Sequence, residues 1–143
     1  MITLNPYLNF NGNTEAAFNF YKTVFGSEFT SFVRFKDTEH GANLSDEDKE
    51  KIMHISLPVG NGNTLMATDA LESMGHKLVK GTNFSLSIHP ESLDEATEYF
   101  NKISADGKID MPFEKAFWGA YFGLATDQFG IQWMVNFEEK PQP

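Results

Sequence analysis

A chain of 143 residues fits one domain, or two small halves sharing a core; 41% hydrophobic and 14% aromatic residues mark it as globular rather than disordered. The absence of cysteine excludes disulfides, thiolate metal sites and a cysteine nucleophile, and leaves the compartment open. A formal net charge of −9, with Arg34 the sole arginine, speaks against a nucleic-acid partner, because a phosphate backbone would be repelled.

The opening MITLNPYLNF has neither a basic n-region nor a long apolar run, so no signal peptide is expected. No stretch approaches the roughly 20 apolar residues of a membrane helix, and the expected location is cytoplasmic, away from any membrane. Residues 3–10 alternate as a strand, and NGN at 11–13 turns the chain. TEAAFNFYKTVFG, 14–26, predicts a helix. Thr14 is placed to cap it, Ala17, Phe18, Tyr21, Val24 and Phe25 form its apolar stripe, and Gly26 stops it. EFTSFVRF, 28–35, predicts a strand of aromatic and β-branched residues. The polar, acidic 36–51 predicts a solvated loop that includes His40. IMHISLPV, 52–59, and TLMAT, 64–68, flank GNGN at hairpin spacing. The two glycines of 69–81 argue for a connector rather than one long helix.

The second half repeats the order. NFSLSIH, 83–89, alternates as a strand and Pro90 breaks it. SLDEATEYFNKISADG, 92–107, predicts a helix with Ser92 and Glu95 as a capping box. KIDMPFEKA, 108–116, and FWGAYFGLAT, 117–126, follow as strands; DQFG turns the chain and IQWMVNF closes it. The halves align in detail: Asn5 with Asn83, Thr14 with Ser92 and Tyr21 with Tyr99 share one offset, as an internal repeat requires.

PYLNFNGNTEAAFNFYKTVFG, LMATDA, FEKAFWGAYFG and TDQFGIQWMVN resemble the PhnB-like branch of the vicinal-oxygen-chelate superfamily, whose members include glyoxalase I, extradiol dioxygenases and bleomycin-resistance proteins. The resemblance covers nearly the whole chain. It implies an α+β fold of two tandem βαβββ modules, at about 1–69 and 82–138 with a connector at 70–81. Each module is expected to form a curved mixed sheet with a helix on one face and a cup on the other. It also implies a homodimer, with the cup built within one chain or across a two-fold axis. A demethylubiquinone methyltransferase designation is attached to this branch, but no Gly-rich βα turn is present to hold a nucleotide cofactor.

Strand alternation assigns the faces. Leu8, Phe10, Ile55, Leu57, Leu65, Ala67, Phe84, Leu86 and Ile88 are expected to meet the helices, as are Ile131, Trp133, Val135 and Phe137. That leaves Asn5, Tyr7, Asn9, His54, Ser56, Thr64, Met66, Thr68, Asn83, Ser85, Ser87, Gln132, Met134 and Asn136 facing the cup. The expected cup is polar and uncharged. Metal-dependent relatives place ligands on the first, fourth, fifth and eighth strands, and the resemblance carries these positions onto Asn5, Met66, Asn83 and Met134. Two amides and two thioethers are poor donors for a dication. No metal or other cofactor is therefore expected, and a divalent ion is the alternative.

His54 is the candidate catalytic residue, as a general base, a hydrogen-bond partner or a lone ligand; a structural histidine is the competing reading. Asp69 reads as a cap for the segment that follows it rather than as a partner of His54. Glu114 reads as an exposed strand-end residue. Arg34 reaches either the cup rim, where it would hold a carboxylate or phosphate, or solvent. Trp118 and Tyr121 alternate to opposite faces, and Trp118 is taken to line the pocket, where it would stack on a flat ligand. The ligand-binding set is thus Asn5, Tyr7, His54, Met66, Asn83, Ser85, Trp118 and Met134. The expected function is metal-free binding of a small polar or planar molecule; the alternative is a metal-dependent isomerase, lyase or dioxygenase.

Overall fold

The computed structural model describes residues 1–139. The chain divides into two compact units, Met1–Lys80 and Gly81 onward. Unit 1 carries β1 (Tyr7–Phe10), α1 (Thr14–Phe25), β2 (Ser31–Arg34), a short α2 (Asp46–Lys49), β3 (Ile52–Gly60) and β4 (Asn63–Asp69). Unit 2 carries β5 (Leu86–Ile88), α3 (Leu93–Ser104), β6 (Lys108–Lys115), β7 (Tyr121–Thr126) and β8 (Gln132–Phe137). The sheet orders match, β1-β4-β3-β2 and β5-β8-β7-β6. In each sheet the first strand runs parallel to its neighbour and the other pairs are antiparallel. This is the α+β architecture of two βαβββ modules. No described helix is long and apolar enough to cross a membrane.

In unit 1 alternation sorts the side chains as the sequence predicts. Leu8, Phe10, Ile55, Leu57, Leu65 and Ala67 are buried, as is the α1 stripe of Ala17, Phe18, Tyr21 and Val24. The helix packs on β3 and β4, and Phe10 meets Phe18 edge-on at 6.4 Å between ring centroids. Gly26 ends α1 in the left-handed conformation, its N–H on the Lys22 carbonyl. Asn61 and Gly62, both at positive φ, form the two-residue turn between β3 and β4.

The start of α1 differs from expectation. Asn13 precedes the helix, and Thr14 lies inside it, fully buried. The capping oxygen comes from Asp69, at the end of β4 and 55 residues along the chain. Asp69 Oδ1 accepts from the Gly12 N–H at 3.1 Å, the Thr14 N–H at 3.0 Å and the Thr14 hydroxyl at 2.6 Å. Its Oδ2 accepts from the Ile52 N–H at 2.8 Å, where β3 begins. One buried carboxylate thus satisfies donors at the helix N-terminus, complements the helix dipole and ties α1, β3 and β4 together. Asp69 caps the helix before it, not the segment after it.

Several strands are shorter than alternation predicts. β1 begins at Tyr7 because Pro6 has no N–H; its carbonyl still accepts from the Met66 N–H. β2 covers only 31–34 because a bulge between Val33 and Arg34 ends the ladder. The expected acidic loop is partly ordered: Ser45 caps α2 by accepting from the Asp48 N–H, and Lys51 pairs with Asp48 at 3.0 Å. That hydrogen bond holds the Asp48 carboxyl below its ordinary value. β7 begins at Tyr121 because Ala116–Ala120 close a tight turn with Gly119 at positive φ.

Unit 2 caps α3 locally, with Ser92 Oγ accepting from the Glu95 N–H at 3.1 Å. Its core gathers Ala96, Phe100, Ala125 and Val135, flanked by Ile88, Phe113 and Phe137. Phe84, expected against the helix, is 59% exposed because β5 starts two residues later. Gly123 lies against Phe100 and Phe113, where a Cβ would come within 2.9 Å of both. The buried Asp127 closes the β7–β8 turn. It accepts from the Phe129 and Ile131 N–H groups and, at 2.8 Å, from the indole N–H of Trp133.

Candidate functional site

The unit 1 sheet presents the face away from α1 as a row in register: Tyr7 opposite Met66, Met66 opposite Ser56, and Ser56 opposite Ser31. His54 lies one step along β3, opposite Val33. The Tyr7 side chain reaches from β1 toward β3, where its hydroxyl lies 3.2 Å from His54 Nδ1. The two rings are 5.8 Å apart and inclined by 31°. Partial burial pushes the Tyr7 phenol above its ordinary value, which keeps it protonated at neutral pH. Ser56, nearly buried, shares a 2.7 Å hydrogen bond with the Thr30 hydroxyl. The partner that orients His54 is therefore a phenol and not a carboxylate.

The remaining sequence-predicted residues fall in different places. Asn5 precedes β1, and its Oδ1 accepts from the Thr64 N–H at 3.0 Å, which ties the N-terminal segment to β4. The residue opposite Met66 is Tyr7, two positions further on. In unit 2 the residue opposite Met134 is Ser87, whereas Asn83 and Ser85 are exposed and precede β5. The shared offset that aligns Asn5 with Asn83 therefore does not align the strand pairings. Ser87 Oγ lies 3.0 Å from His89 Nε2.

The open face of unit 2 is less polar than expected. The row that contains Met134 runs Ser87, Met134, Leu124 and Met111. Trp118 stands in the β6–β7 turn, 56% exposed, edge-on to Phe117 at 4.9 Å and to Phe122 at 6.1 Å. Tyr121 turns the other way, toward Phe113 at 6.1 Å. Leu124 and Phe122 alternate with the core residues Gly123 and Ala125, so they occupy this open face.

Arg34 is not a rim group. The bulge leaves Arg34 opposite Ile52, and its guanidinium grips Glu15 of α1 bidentately at 3.0 and 2.9 Å and the Glu50 carbonyl at 2.6 Å. The Glu15 hydrogen bonds raise its pKa further. It is engaged within unit 1.

The resemblance puts ligands at Asn5, Met66, Asn83 and Met134; Asn5 Oδ1 is already used, and the strand pairing would substitute Tyr7 and Ser87 for the amides. Neither set offers an anionic or imidazole donor. Among the described residues no three His, Cys, Asp or Glu side chains cluster as a metal site would need. Amides and thioethers at these four positions are poor donors for a dication.

Sequence reasoning missed the Tyr7–His54 contact. Alternation puts both side chains on one face, but the bond depends on the β1–β4 and β4–β3 registers. The Ser87–His89 contact has a legible signal, the i, i+2 spacing within the strand expected at 83–89; in the structure His89 lies just past the end of β5.

A family model described as 3-demethylubiquinone-9 3-methyltransferase matches residues 3–136. The chain belongs to this PhnB-like family. Its architecture is that of the glyoxalase and bleomycin-resistance fold. Among solved structures, PA1353 from Pseudomonas aeruginosa is 37% identical with a TM-score of 0.83, over 98% of this chain and 100% of that one. The PhnB protein from Bacillus cereus is 26% identical with a TM-score of 0.75, over 95% and 99% of the two chains. Protein YjdN of Escherichia coli (strain K12) is 32% identical over 148 residues, covering 98% of this chain and 97% of its own. Each of these matches covers both units of this chain almost from end to end.

Proposed function

We propose that this PhnB-like protein binds a small, uncharged polar or planar organic molecule on the open face of the unit 1 sheet, without a metal ion. The observation that carries the reading is the Tyr7–His54 pair beside Met66, in a row of side chains that holds no lysine, arginine or carboxylate. Such a face offers hydrogen bonds and a polarizable thioether, and no counter-charge for an ionic ligand. Sequestration or sensing requires nothing more.

The methyltransferase designation of the family is not part of this reading. The β1–α1 turn is Asn11-Gly12-Asn13, not a Gly-rich loop, and its Gly12 N–H and the Thr14 N–H are already taken by Asp69. A homodimer is part of the reading, with the exposed Phe117 and Trp118 as apolar surface for it.

The test is native mass spectrometry of untagged protein, beside thermal-shift screening with organic ligands and divalent ions. A co-purified or screened organic ligand that His54→Ala releases supports the reading. Stabilisation by divalent ions alone would replace it with metal-dependent isomerase, lyase or dioxygenase chemistry.

A further inference from the structure

Resting on that binding reading, we infer that Tyr7 sets the tautomer of His54 so that the unit 1 face offers an Nε2–H donor, and that its ligand is a flat, neutral molecule bearing a carbonyl-type acceptor. Ketones, quinones, lactams and lactones belong to this class; carboxylates, phosphates and metal ions do not.

The 3.2 Å contact to His54 Nδ1 is the one hydrogen bond that the Tyr7 hydroxyl makes among the described residues. The phenol keeps its proton at neutral pH, since burial raises its pKa. A protonated phenol can donate or accept; in the arrangement inferred here it donates to Nδ1, and the ring nitrogen accepts. A neutral imidazole that accepts at Nδ1 carries its proton on Nε2. Nε2 is then a directional donor with nothing on unit 1 assigned to receive it, on a histidine that is only half-buried.

Charge decides the class of acceptor. The row Tyr7, Met66, Ser56 and Ser31 holds no lysine or arginine, and Arg34, the nearest strand cation in sequence, is committed to Glu15. An anion placed here would lose hydration without gaining a counter-ion. A cation would meet no carboxylate in that row, and with Nδ1 engaged the imidazole carries a proton where a metal would need a lone pair. A neutral carbonyl oxygen suits a single N–H donor.

Shape follows from the neighbours. Tyr7 is 46% exposed, with Met66 directly opposite in register. A ring edge and a thioether make an apolar floor that a flat ring system covers and an extended aliphatic chain does not.

The experiment uses the full chain and three probes of one shape: fluorenone, fluorene and fluorenecarboxylate. Two-bond nitrogen–proton correlation spectra read the His54 tautomer directly, and amide and methionine-methyl shifts read binding. Wild type is expected to show protonated Nε2 with Nδ1 accepting, and Tyr7→Phe to move the Nδ1 shift toward that of a free imidazole. Fluorenone is expected to perturb Tyr7, His54 and Met66 and to bind roughly tenfold tighter than fluorene, as one neutral hydrogen bond allows. His54→Ala should remove that preference while leaving the amide spectrum dispersed. Protonated Nδ1, equal affinity for fluorenone and fluorene, or tightest binding of the carboxylate would each overturn the inference, and in the last two cases binding at this face would survive without it. Failure of all three probes to perturb the face would overturn both.

Discussion

Two rows of side chains occupy the same topological place in the two sheets. Unit 1 presents Tyr7, Met66, Ser56 and Ser31; unit 2 presents Ser87, Met134, Leu124 and Met111. A methionine stands on β4 in one and on β8 in the other, but the hydrogen-bonding chemistry is concentrated in unit 1. The anchoring of the helices differs in the same sense. Asp69 ties α1 to two strands through a buried carboxylate, whereas Ser92 caps α3 from its own turn. The difference teaches that a repeated βαβββ topology fixes where a residue stands and not what it does. The unit with the polar face is also the one whose helix is held by a tertiary polar contact. That contact enters the strands near the candidate site: Asp69 lies three residues after Met66, and Ile52 two residues before His54. Such support beneath a site holds its side chains in place.

Substitutions break or sharpen the comparison. Asp69→Ala leaves four donors without their acceptor and is expected to cost about 3–5 kcal/mol in urea unfolding. Gly123→Ala forces a Cβ against Phe100 and Phe113, with an expected loss of about 1–3 kcal/mol in the same measurement. Ser92→Ala removes a local cap and is expected to cost about 1 kcal/mol. If Ser92→Ala proved more damaging than Asp69→Ala, the contrast between tertiary and local anchoring would be wrong. His54→Ala sits at the small end, within about 0.5 kcal/mol, because its side chain serves the open face and not the core. A large loss there would make His54 a structural residue.

Much of this was legible in the sequence, for identifiable reasons. The α1 stripe, the GNGN hairpin, the Ser92 cap and the inward set Tyr7, His54, Ser56 and Met66 follow from local periodicity and turn chemistry. Strand ends were not legible, since a strand ends where its partner does. Asp69 was misassigned because its donors come from residues 12, 14 and 52 and meet only in the fold. Alternation leaves Arg34 between the rim and solvent because it does not reveal the bulge that sets Arg34 opposite Ile52. The faces of β6 and β7 went unassigned; β6 carries two register shifts, and the polar cup expected there is instead partly Leu124, Met111 and Phe122.

The central claim is a neutral binding face without a metal ion. The most direct measurement is elemental mass spectrometry of the native protein, purified without a histidine tag or chelator. The account predicts far less than one zinc, nickel, manganese or iron per chain, and no thermal shift when these ions are added. A near-stoichiometric metal would contradict it and make His54 the first ligand to examine.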